Sequence, residues 1–155
     1  MTNSGFKHAL VVGASSGIGE ALARRLAAGG ARVAVVARRE TELRRVIGEI
    51  NAEAGEERAV ALVHDVRDAG DVPELFQEIA QRLGGLDLVV YAAGVLPKIE
   101  AYEYNTDKYR EMLEVNLSGA VAWLNPAAER FARLGRGTIV GIGSVAGDRG
   151  RSGNP

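Results

Sequence analysis

Apolar positions along the chain follow two patterns in turn. Short, nearly unbroken apolar runs at 9–12, 32–37, 59–64, 86–91 and 138–142 have the length of strands. They lack polar alternation, as expected where both faces of a sheet are covered. Between them apolar residues recur at helical spacing: Ile18, Leu22 and Leu26; then Leu43, Val46, Ile47 and Ile50; then Val72, Leu75, Phe76, Ile79 and Leu83. The longest such segment, 106–134, carries Tyr109, Met112, Leu113, Leu117, Ala120, Val121 and Leu124 on one face, which predicts a buried stripe. Pro126 lies within it and is expected to kink or split the helix. Gly29-Gly30 suits a left-handed cap for the first helix, and Asp71 is positioned to cap the third.

Five strands alternating with helices predict right-handed βαβ units and an α/β, doubly wound parallel sheet with helices on both faces. Ligands of such sheets lie at the carboxyl ends of the strands. Gly13, Arg38, Asp65, Ala92 and Ser144 each follow a strand and are expected along that one edge. The connection 92–105 is long for such a unit, which points to a functional loop. The tail 143–155 is glycine-rich and irregular.

At 155 residues a single domain is expected, with enough chain for a real core. The net charge of −1 gives no electrostatic case for nucleic acid or a membrane surface, and no apolar run is long enough to span a bilayer. Without cysteine there is no thiolate metal site or disulfide framework, in keeping with a cytoplasmic protein. His8 and His64 stand far apart with no partner at ligand spacing, so no metal site is expected.

The candidate chemistry begins where the first strand meets its helix. Gly13-Ala14-Ser15-Ser16-Gly17-Ile18-Gly19 removes three side chains, which lets the chain turn sharply and lets backbone N–H groups approach a phosphate. A helix N-terminus favours an anion there, and Ser15 and Ser16 add hydroxyl donors. The spacing is Gly-x-x-x-Gly-x-Gly, different from the commonest dinucleotide fingerprint. Eighteen residues beyond Gly19, where an acid would bind the ribose diol of NAD, stands Ala37, followed by Arg38 and Arg39. Guanidinium groups there favour the extra phosphate of NADP over NAD.

These residues, with His64-Asp65-Val66, Tyr91-Ala92-Ala93-Gly94, Val115-Asn116-Leu117-Ser118-Gly119 and Gly143-Ser144-Val145-Ala146-Gly147, resemble the short-chain dehydrogenase/reductase family in its compact, single-domain form. The resemblance runs from Lys7 to the last residue and implies a Rossmann-type fold acting on a small alcohol or carbonyl substrate. It implies that Asp65 and Val66 flank the adenine and that Ala92, Ala93 and Gly94 leave room for the cofactor. By the same resemblance Asn116 holds a proton-relaying water, and Ser144 holds the substrate oxygen. Asn116 falls within the apolar stripe, where an unpaired polar group is costly; its plain structural reading is a core asparagine bonded to nearby backbone. Tyr91 stands where that family's motif usually has asparagine.

The family's tyrosine, with a lysine one helical turn later, is expected beyond the last residue here. Of Tyr91, Tyr102, Tyr104 and Tyr109 only Tyr104 has a lysine four residues on, Lys108, and none of the four follows Ser144. The sequence therefore reads as the cofactor-binding N-terminal part of a longer reductase, with a sheet incomplete at its C-terminal side and no turnover alone. Self-association through the fifth strand and the long helix is expected. A non-catalytic dinucleotide-binding or sensor protein on the same fold is the second reading. A methyltransferase is the third, and the arginines after the second strand argue against it.

Overall fold

The computed structural model describes residues 5–100 and 102–147. Five parallel strands form one sheet: β1 (His8–Val12), β2 (Arg32–Ala37), β3 (Ala59–Val63), β4 (Leu88–Tyr91) and β5 (Thr138–Gly141). Their spatial order is β3-β2-β1-β4-β5, so the winding direction reverses between β1 and β4. Val12 pairs with Val36 on one side and Tyr91 on the other, which aligns the three strand ends.

The central strands are buried on both faces, as their apolar runs predict. Val11, Val33, Val35 and Val90 pack beneath α1 (Gly17–Ala28) and α2 (Glu40–Ala54), with Ala23, Leu43, Val46 and Ile50 facing them. Leu10, Val12, Val36 and Val89 face the opposite layer. That layer is α3 (Val72–Leu83) and the long helix following β4, contributing Phe76, Ile79, Trp123 and Phe131. The α/β, doubly wound architecture is thus the one the sequence pattern implies.

The long helix differs from expectation in three ways. It runs as α4 (Thr106–Met112), a π-helical turn (Leu113–Ser118) and α5 (Gly119–Leu134). The interruption comes at the π turn, and α5 continues unbroken through Pro126. Its buried face is Val115, Gly119, Trp123, Ala127 and Phe131, while Leu113, Leu117 and Val121 are exposed. The small residues decide this: Gly119 and Ala127 let the helix axis approach the sheet and let Trp123 fill the core, an advantage that counting large apolar residues does not register. Asn116 consequently stands exposed, outside the core.

Smaller corrections concern the caps. Asp71 occupies the N-cap of α3, yet its side chain makes no cap bond. After α1 the Gly29-Gly30 pair supplies the expected left-handed glycine at Gly30, with a φ of +96°, while Gly29 itself has a φ of −79°. In α1 only Leu26 of the anticipated stripe is fully buried, Ile18 being 66% exposed at the mouth of the sheet. The segment 148–155, expected to be irregular, lies outside the described residues.

Charge ties α1 to α2. The Glu20 carboxylate accepts from Arg24 on its own helix at 2.8 Å and from Arg45 on α2 at 2.9 and 3.0 Å. These bonds, Arg45 foremost, lower its pKa from the ordinary 4.5 to about 2. A carboxylate whose folded pKa is depressed adds stability above its unfolded pKa and loses it as the pH falls towards the folded value. Glu20→Gln is expected to lower the guanidinium chloride midpoint at pH 7, with the gap to wild type closing between about pH 4.5 and about pH 2. A pH-independent gap would show that the contact stabilises through packing alone.

Candidate functional site

The reversal of winding between β1 and β4 opens a crevice at the carboxyl ends of the strands, the usual ligand position in open α/β sheets. A cleft of about 390 Å³ lies there. Of the residues singled out from sequence, Gly13, Ser15, Ser16, Arg38, Arg39, Asp65, Val66, Ala92, Ala93 and Gly94 line it. Gly17, Ile18, Gly19, Asn116 and Ser144 do not.

Gly13 ends β1 with a φ of +91°, a conformation that a side chain makes costly. A Cβ there would stand 2.3 Å from the Ala93 backbone nitrogen, so the two loops meet main chain to main chain. Gly19 acts from beneath: its Cβ would lie 2.3 Å from the Gly13 carbonyl oxygen, which lets the first turn of α1 tuck under the loop. Gly17 has a φ of +61° with open space around it, so its role is conformational.

Ser16 is the N-cap residue of α1, but its hydroxyl does not cap the helix. Both loop hydroxyls are held by Arg39, at the start of α2. Its guanidinium donates to Ser15 Oγ at 2.9 and 3.1 Å and to Ser16 Oγ at 2.5 Å. Arginine has no acceptor, so each serine receives a bond and keeps its own O–H free to donate onward. Arg39 thus bridges the end of β2 and the glycine loop, a cation and two hydroxyl donors at one helix N-terminus. Arg38 is half-exposed on the other side, 3.7 Å from Asp65 Oδ2.

Asp65 is already engaged. Arg67 grips both carboxylate oxygens, with Nη2 donating to Oδ2 at 2.6 Å and Nε to Oδ1 at 3.0 Å, and its backbone N–H donates to Oδ1 at 3.1 Å. The Arg67 side chain and then its backbone hold the Asp65 pKa at about 2, against an opposing contribution from burial. Asp65 is therefore ionised at neutral pH, a fixed acceptor beside the arginines. His64, buried in the cleft wall, packs edge-on against Trp123 with ring centroids 5.5 Å apart, and its Nε2 lies 3.1 Å from the Asp68 carbonyl oxygen.

The far wall is set by Asn116. Its Oδ1 accepts from the Val95 N–H at 2.8 Å, and its Nδ2 donates to the Val95 carbonyl at 2.9 Å. The amide thus grips the backbone of the segment that follows β4, and does so from an exposed position where the plain structural reading places it in the core. Ser144 lies past the end of β5, with its carbonyl accepting from the Gly147 N–H in a short turn. Sequence reasoning missed Val95 and Val115 as wall residues, the grip of Arg67 and the place of His64. Arg67 alone left a signal, a cation two residues after a turn aspartate; Val95 meets Asn116 across 21 residues, a distance no local pattern spans. Among the described residues no group of histidine, aspartate and glutamate gathers as a metal site, and no helix is long and apolar enough to cross a membrane.

Comparison with known proteins agrees with this geometry. The sequence model of the short chain dehydrogenase family matches residues 7–155. An uncharacterized oxidoreductase of Myxococcus xanthus is 36% identical over 154 residues, covering 99% of this chain and 60% of that protein. A 3-oxoacyl-[acyl-carrier-protein] reductase of Bos taurus is 36% identical over 143 residues, covering 92% of this chain and 58% of that protein. The crystal structure of a variant of actinorhodin polyketide ketoreductase with NADPH superposes with a TM-score of 0.86 at 34% identity, covering 99% of this chain and 59% of that one. The chain thus spans about 60% of the length of the relatives it matches. On sequence and fold together, it belongs to the short-chain dehydrogenase family.

Proposed function

We propose that these residues form the NADP(H)-binding portion of an oxidoreductase that passes hydride between nicotinamide and the carbon of an alcohol or ketone. The observation that carries this reading is the Arg39 bridge over Ser15 and Ser16, with Ala37 where a diol-binding acid would stand. The residues fit a dinucleotide: the loop is stripped of side chains where a pyrophosphate would approach, and Gly13 and Gly19 have no room for any. Arg38 and Arg39 would hold the additional phosphate by charge-assisted bonds. Ala92, Ala93 and Gly94 keep the opposite wall low, and Asp65 and Val66 would lie beside the adenine. The nicotinamide supplies hydride transfer when bound. Ser144 would hold the substrate oxygen, where negative charge develops. Asn116 would serve by shaping the wall at Val95 or by holding a water. The NADPH in the related ketoreductase structure supports the choice of cofactor.

Isothermal titration is expected to give a lower Kd for NADPH than for NADH. Arg38→Asp should weaken NADPH by about tenfold or more, in keeping with about 1.5–3 kcal/mol for a hydrogen bond to a charged group, while changing NADH little. Arg39→Ala, which also releases Ser15 and Ser16, should weaken both nucleotides, NADPH the more. Equal affinity for the two nucleotides, or an unchanged preference in both variants, would overturn the assignment.

Tyr104 has a lysine four residues on, Lys108, but the tyrosine is 87% exposed and does not line the cleft, and Lys108 is bonded to the Lys98 carbonyl and to Glu103; we assign no proton donor within these residues. NADPH oxidation across a panel of carbonyl substrates is expected to stay at background for this chain.

Leu113, Leu117 and Val121 are each more than half exposed, and among the described residues β5 is an edge of the sheet. Contiguous apolar surface of this kind favours association. Sedimentation velocity is expected to show oligomers at micromolar concentration, and Leu117→Glu with Val121→Glu should shift them to monomer; a monomeric wild-type chain would contradict this.

A further inference from the structure

The family likeness leaves Tyr91 unexplained, since asparagine usually stands there. Tyr91 ends β4 with 2% of its surface exposed, one residue before the low wall of the cleft. A buried phenol needs a partner, and this one donates to the Val115 carbonyl oxygen, 24 residues away. Burial pushes its pKa up, so it is a donor at every physiological pH.

Val115 lies inside the π turn. In an α-helix its carbonyl would receive the N–H four residues on; in a π turn the pairing moves to the fifth, and the widened turn opens its carbonyls to outside donors. The neighbouring Gly119 is matched to the phenol. A Cβ there would stand 2.4 Å from the Tyr91 hydroxyl and 3.1 Å from Val66 Cβ, so the space a side chain would fill is already taken. One residue after Val115, Asn116 turns outward and grips both backbone groups of Val95. Val95 in turn lines the cleft beside the Ala93 backbone against which Gly13 rests.

From this chain of contacts we propose that Tyr91 is a positioning residue for the nucleotide cleft. Its hydroxyl ties the end of the sheet to the π turn, the π turn aims Asn116, and Asn116 holds the Val95 segment at the height the ligand meets. The effect on ligand rests on the NADP(H) reading above; the tether itself does not. If Tyr91 were only core filler, phenylalanine would replace it without consequence beyond a uniform loss of stability.

Hydrogen exchange at the Val95 amide, resolved by fragmentation mass spectrometry on the nucleotide-free chain, reads the tether directly. Tyr91→Phe is expected to speed exchange at Val95 on the order of tenfold, while amides of β1 and β2 keep wild-type rates. Asn116→Ala, which removes the acceptor for that amide, sets the upper limit. Gly119→Ala is expected to speed Val95 as well, by driving a methyl at the phenol, and Tyr91→Phe combined with Gly119→Ala should lie closer to Tyr91→Phe alone than the sum of the two. Unchanged Val95 exchange in Tyr91→Phe, or acceleration spread evenly over the sheet, overturns the tether. NADPH titration then separates the two readings. A threefold or larger rise in Kd for Tyr91→Phe supports the positioning role, and a faster Val95 amide with unaltered NADPH affinity overturns it. A wild-type chain that binds no NADPH defeats the cofactor assignment, with the exchange result still deciding the tether.

Discussion

Two backbone loops touch where no side chain fits, and the rest of the site follows from that contact. Gly13 lies against Ala93, and Gly19 lies under Gly13, each so near that one methyl group would overlap main-chain atoms. Backbone cannot yield as a flexible side chain can, so the ends of β1 and β4 and the first turn of α1 are held at one separation. The spacing of the β1 and β4 loops and the position of the α1 N-terminus are set there. Valine-rich strands buried on both faces supply the rigid platform that keeps the contact from opening.

Around that contact the cleft is a field of paired charges. Arg39 turns Nε and Nη2 to two serine hydroxyls, and Asp65 is held by Arg67 with Arg38 nearby. Each pair is partly exposed, so its worth lies in orientation more than in stability. Preset donors and acceptors lose little entropy when a ligand arrives. The cost is that Asp65 must share its oxygens between Arg67 and any ligand donor.

Much of this was legible in the sequence because it is local. Unbroken apolar runs, glycine at Gly13 and Gly19, and two arginines after the second strand each carry meaning within a few residues, and the layer arrangement follows from alternation and handedness. The long helix was misread because its buried face is drawn by small residues: Gly119 and Ala127 sit against the sheet while Leu117 and Val121 point away. The π turn hid for a related reason, since nothing in Leu113–Ser118 marks an extra residue in the turn; a partner from a distant strand is bonded there. Asn116 was singled out for its type and place, but its target, the Val95 backbone, was visible only once loop and helix were folded together.

The strand order carries one more implication. Steps from β1 to β2 and β3 run one way across the sheet with their helices on one layer, and the steps to β4 and β5 run the other way with theirs on the opposite layer. Handedness allows no exception in practice, so a parallel strand added outside β5 would have its connecting helix forced onto the same side as α5. That helix would come down next to the leucine and valine ridge of Leu117 and Val121. Sheet growth and the shielding of that ridge are therefore a single geometric event in this architecture.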